Sequence, residues 1–177
     1  MHHIKGKFNY GEFNDVKILE LPYKGHDISM LILLPTQDIT MFESPLTLQK
    51  LDKWRGNLQK TKLKPIKIPK FKFKSKLLLR KSLKSMGLNL CFDPKKADFS
   101  MMTPNSDLFV GNVVHQAEIS VDEQGTTAVA ATAFNMTSAK ARNQPYFIAD
   151  HPFIFVIQDQ NVGNILFMGN LVDPTQL

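Results

Sequence analysis

The clearest hydrophobic rhythm in the chain has a period of two: Val113, His115, Ala117, Ile119 and Val121 alternate with Val114, Gln116, Glu118 and Ser120. Successive side chains of an extended backbone point to opposite faces, so the spacing predicts a long strand ending near Asp122. The same period recurs where Lys70, Lys72 and Lys74 alternate with Phe71 and Phe73, a half-buried strand with a solvated lysine face. Val16 to Pro22 and Ile28 to Pro35 predict two strands joined by a turn over Tyr23 to Asp27, the second apolar enough to be covered on both faces. Ser44 and Pro45 offer an N-cap and first-turn proline for a helix carrying Leu48, Leu51 and Leu58 on one side. Ser75 to Met86 reads as a short helix with Leu79, Leu83 and Met86 inward, closed by Gly87. Pro152 to Ile157 and Asn164 to Gly169 are apolar runs separated by Gln158 to Gly163, a hairpin pattern.

Length and composition change this picture little. A chain of 177 residues, 43% hydrophobic and 21% charged, is an ordinary globular domain with one core, and disordered or collagen-like classes are excluded. No run of eighteen apolar residues occurs, so no spanning helix and no membrane partner is expected. The start lacks a secretory core, which implies either an intracellular chain or an N-terminus that lies further upstream. The single Cys91 rules out an internal disulfide framework and a cysteine-only zinc site.

Charge matters more by its distribution than by its net value of +6. Thirteen Lys or Arg and no Asp or Glu lie between Lys53 and Phe92, which leaves nine basic against sixteen acidic residues elsewhere. Three readings of this run compete: a solvated surface, a polyanion site, and a nucleic-acid site. The last is the weakest, because Phe71 and Phe73 point away from the lysines and offer no stacking platform, so no nucleic acid is expected as a partner. The polyanion reading covers Lys60, Lys62, Lys64, Lys67, Lys70, Lys72, Lys74, Arg80, Lys81 and Lys84.

Catalytic chemistry is hard to assemble. None of His2, His3, His26, His115 and His151 stands in a metal-binding or nucleophile–base spacing, and Cys91 between Leu90 and Phe92 reads as packing. The segment Glu123 to Ala133 is more informative. Extended, it places Thr126, Ala128, Ala130 and Thr132 on one face, all small and uncharged. Such a face can enter a sheet between strands without burying a charge, although the same composition also suits a loop or a helix.

These residues carry a family resemblance. Glu123, Gly125, Thr126 and the small residues Ala128, Ala130, Ala131 and Thr132 resemble the proximal hinge of an inhibitory serpin. Phe147 to Ile157 is similar to the signature after the reactive loop of that family, and Phe167-Met168-Gly169 with Pro174 to its closing strand. Leu19 to Tyr23, Ser29-Met30, Ile32 to Pro35 and Ala97 to Ser100 fit in the same order. The resemblance implies an α+β, β-rich fold with strands of sheets A, B and C, residues 1–177 being the C-terminal part of a single serpin domain. The reactive loop would span about 123–146. The first helices and the central strand beside the insertion slot would precede Met1, which makes the missing N-terminal half a partner.

It further implies a trap rather than an enzyme: a protease cuts the bait, and the freed hinge enters a sheet as a new strand. At about 1 kcal/mol per hydrogen bond, a strand bonded on both sides gains on the order of ten kcal/mol. The family's spacing puts the cut within Ala139, Lys140, Ala141 and Arg142. Ala139 suits an elastase-like pocket, and Lys140 or Arg142 suits a trypsin-like serine protease, which the two basic residues favour. Neither a metal nor a cofactor is implied beyond a heparin-like glycosaminoglycan on the lysines. The compartment would be extracellular if a signal peptide precedes the chain, with the cytoplasm as the alternative. The resemblance also implies a Glu123–Lys70 contact and a buried His115, while the sequon at Asn135 is expected to be unused. The rival functions are a non-inhibitory carrier, storage or chaperone serpin, whose hinges are often bulky or charged, and a truncated product without inhibitory activity.

Overall fold

The computed structural model describes residues 6–37, 46–103, 108–122 and 145–173. The chain divides into two units, Met1–Phe71 with Val121–Leu177, and Lys72–Ser120.

The first unit is built on a six-stranded sheet. Its strands are β1 (Lys7–Glu12), β2 (Val16–Pro22), β3 (Ile28–Pro35), β4 (Gln59–Lys62), β9 (Phe153–Asp159) and β10 (Ile165–Leu171). They run in the order β10-β9-β3-β2-β1-β4, and every neighbouring pair is antiparallel. The expected β2–β3 and β9–β10 hairpins are both present. The β2–β3 turn is set by Gly25 at φ +97° and His26 at φ +66°, backbone that glycine adopts without steric cost. Central β3 is covered on both faces, and Leu31, Ile32 and Leu33 are wholly buried.

One face packs under α1 (Leu48–Gly56): Leu51 and Trp54 meet Val16, Ile18, Leu31, Leu33 and Val156. The cap of α1 is Thr47, whose hydroxyl accepts from Lys50 N at 3.2 Å. Ser44 and Pro45 lie outside the described residues. Leu58 packs on this core from beyond the helix, whereas Leu48 is exposed, so the inward stripe holds Trp54 in place of Leu48. On the opposite face Phe71 meets Phe153 edge to face at 6.0 Å and Phe155 at a tilt at 5.4 Å. A two-residue parallel pair, β5 (Ile66–Lys67) with β8 (Phe147–Ile148), completes the unit.

The second unit holds most of β6 (Phe71–Leu78), most of β7 (Val114–Val121), α2 (Arg80–Ser85) and a 3-10 turn at Leu90–Phe92. β7 is the strand its alternation foretells, and among the described residues β6 is its one partner. Two expectations for α2 are corrected. The helix begins at Arg80 because residues 75–78 continue β6, and Leu79 N still donates to Val113 O at 2.9 Å. None of its residues is buried: Leu83 is half-buried and Met86, just past its end, is 81% exposed. Gly87, at φ +98°, does end it. His115 is exposed in this chain, and the partners that the resemblance implies for it would come from the N-terminal half of a serpin.

Among the described residues no helix is long and apolar enough to cross a membrane, and no cluster of three potential metal ligands forms.

Candidate functional site

The hinge residues Glu123, Gly125, Thr126, Ala128, Ala130, Ala131 and Thr132, and the bait residues Ala139, Lys140, Ala141 and Arg142, lie outside the described residues, as does Asn135. Their two flanks are described, and they differ in kind.

Downstream, the backbone is anchored at once. Pro145 O accepts from Lys64 N at 3.0 Å, Phe147 N donates to Pro65 O at 3.0 Å, and Ala149 N donates to Lys67 O at 2.9 Å. Phe147 is fully buried and meets Tyr10 edge to face at 6.3 Å. Lys17 Nζ sits 4.8 Å from the Tyr146 ring centroid and 3.9 Å from Glu12. Tyr10 donates its hydroxyl to Glu12, and burial together with that carboxylate raises its phenol well above the ordinary value. Two residues after Ala149, His151 lies 2.7 Å from Pro35 O through Nε2 and 2.8 Å from Asp150 through Nδ1.

Upstream, β7 presents a different surface. Its exposed Glu118 is bridged by Lys72 and Lys74 at 3.1 and 3.0 Å, one lysine on each carboxylate oxygen. Hydrogen bonds from Lys74 and then Lys72 hold the Glu118 carboxyl below the usual carboxylate range. The edge of β7 opposite β6 carries no strand among the described residues.

The ten basic residues divide between the two units. Lys60 and Lys62 are exposed on β4, where Lys62 stands directly across from Lys7 of β1. Lys64 precedes β5, Lys67 is its second residue, and Lys70 precedes β6. Lys72, Lys74, Lys81 and Lys84 are exposed in the second unit. Arg80 is already engaged: its guanidinium donates to Gly111 O at 2.6 Å and Phe92 O at 3.4 Å and lies over the Phe92 ring. It acts as a clamp on its own unit.

A polar cluster escapes the sequence reading. Glu20, 8% exposed, accepts from Asn9 at 2.7 Å, Ser29 at 2.9 Å and Gln160 at 2.5 Å, at the floor of a cleft of about 310 Å³. Three neutral donors compensate the buried carboxylate. The signal was available, because Glu20 is in phase with the inward-facing Val16 and Ile18.

A family model described as Serpin (serine protease inhibitor) matches residues 1–174. The chain belongs to the serpin family. An uncharacterized serpin-like protein of Methanosarcina acetivorans is 42% identical over 169 residues, 95% of this chain and 40% of that protein. Leukocyte elastase inhibitor A of Rattus norvegicus is 39% identical over 98% of this chain and 48% of its own length. Plasminogen activator inhibitor 2 of Homo sapiens is also 39% identical, over 98% of this chain and 44% of its own. The chain thus spans less than half the length of these serpins. Its β-rich architecture with few helices agrees with the expected serpin fold.

Proposed function

We propose that this chain provides the bait loop, and the two strands that flank it, to a serpin-type inhibitor of serine proteases. The observation that carries the reading is the half-paired β7: a strand with one vacant edge among the described residues runs directly into Glu123 to Ala133. A free edge is a row of unpaired backbone donors and acceptors, and a small-residue segment can occupy it without a steric or desolvation penalty. The downstream flank is pinned by Phe147 and three backbone hydrogen bonds. The two ends of the loop therefore have unequal holds.

The inhibitor names of the rat and human relatives support this class. The cut falls within Ala139 to Arg142, and Lys140 and Arg142 would admit a trypsin-like enzyme where Ala139 would admit an elastase-like one. Large exposed apolar side chains, among them Leu78, Leu90 and Met101, are the surface that a complementary serpin half would cover.

Incubating the chain with trypsin and with elastase, then weighing the fragments, tests the bait assignment. Cleavage after one of residues 139–142 is expected, and cleavage only elsewhere overturns it. On a denaturing gel, an adduct with the protease marks an inhibitor. Clean cleavage without adduct, when the N-terminal half of a serpin is supplied in trans, marks a non-inhibitory serpin.

A second reading, a sulfated or phosphorylated polyanion bound to the lysines, is favoured by one geometric fact. Lys7 and Lys62 face each other directly across β1 and β4. Like charges so placed repel, and a counter-anion relieves them.

A further inference from the structure

We propose that Glu118 is a built-in competitor for the lysines of β6, so that Lys72 and Lys74 engage a sulfate- or phosphate-bearing chain only when its carboxylate gives way. This rests on the polyanion reading and says how that site is restrained. The two ammonium groups lie 3.1 and 3.0 Å from separate oxygens of the one carboxylate. A polyanion meeting these lysines finds both already engaged by a tethered anion, and Glu118 also repels it.

Among the described residues the unit does not duplicate this restraint, for reasons of register. Gln116 and Ser120, two positions away on the same face of β7, are uncharged. The other described acids of Lys72–Ser120 are used elsewhere: Asp93 lies 3.9 Å from Lys96 and accepts from Lys95 N, and Asp98 accepts from Ser100 N. The lysine run itself contains no acid, so the competing charge had to come from across the strand pair. The side chains of Lys72, Lys74 and Glu118 are 56, 59 and 43% exposed, so exchanging one anion for another requires no unfolding. An exposed pair of this kind is weak and salt-sensitive, which suits a competitor that must yield.

The test is titration of the 177-residue chain with two probes, a sulfated oligosaccharide and an inorganic polyphosphate, over a series of salt concentrations. Glu118→Gln is expected to bind at least one probe about three- to tenfold more tightly at low salt. The slope of log K against log salt should steepen by about one to two, because the two lysines then shed counterions instead of a tethered carboxylate. The responding probe identifies the anion. Asp98→Asn makes the same change of net charge in the same unit without touching Lys72 or Lys74, and should bind as the wild type does. Equal tightening by both variants reduces the effect to net charge and overturns the proposal. Binding by the wild type that Glu118→Gln leaves unaltered overturns the competitor role alone. Failure of every form to bind either probe overturns the polyanion reading and this inference together.

Discussion

The six-stranded sheet and the β6–β7 ribbon are both made of alternating strands, yet they bury their residues very differently. In the sheet β3 has a strand on each side and a covered surface on each face, and Leu31, Ile32, Phe155 and Val156 are nearly inaccessible. In the ribbon Val114 is 51% and Leu78 68% exposed, and α2 buries nothing. Alternation specifies a strand, but only neighbours specify a core. A two-stranded ribbon is marginal alone in water, and that makes the ribbon the natural place to accept another strand.

The largest expected effect is in amide exchange. Protection in β2, β3 and β9 should exceed that in β7 and in β6 beyond Phe71 by orders of magnitude, because local opening of that part of the ribbon exposes little new apolar surface. Comparable protection in both would remove the contrast. Next, Phe155→Ala should cost about 3–5 kcal/mol in denaturant unfolding, against no more than about 0.5 kcal/mol for Leu78→Ala. Equal losses would mean that the ribbon has its own core. A smaller effect, about 1 kcal/mol, is expected for Thr47→Ala, which strips the α1 cap; it should appear in the same transition as Phe155→Ala. The smallest belongs to Glu118. Its carboxyl titrates below the ordinary value in the folded chain, so its pairing helps above the usual carboxylate range and is lost as pH falls through the lowered value. Carboxylate-resolved NMR titration checks this, and an unshifted Glu118 would break the link to Lys72 and Lys74.

The centre of the sheet was legible because β2, β3, β9 and β10 carry apolar runs of strand length between turns. β1 (KFNYGE) and β4 (QKTK) were not, since their pairing comes from the sheet they join and not from their own hydrophobicity. β5 and β8 are two residues each, too short to show any period. The helix expected from Ser75 lost its first turn to β6, whose lysine alternation runs on to Lys76 and was the better guide. At the candidate site the hinge and bait are expected from the family resemblance, and they lie outside the described residues. The anchoring of Phe147 by Tyr10 and the bridging of Glu118 join residues distant along the chain, and no local pattern announces them, whereas the burial of Glu20 follows from its phase with Val16 and Ile18.

The margins of the six-stranded sheet have a consequence for how the protein behaves in concentrated solution. β4 bears Lys60 and Lys62, whereas β10 runs from Ile165 to Leu171 without a charged side chain, and Leu166, Phe167 and Met168 are exposed. Raising ionic strength relaxes mutual repulsion at the first margin and leaves the second as adhesive as before. Self-association that begins on this sheet is therefore polar, nucleating at β10 in dilute buffer and recruiting β4 only in brine.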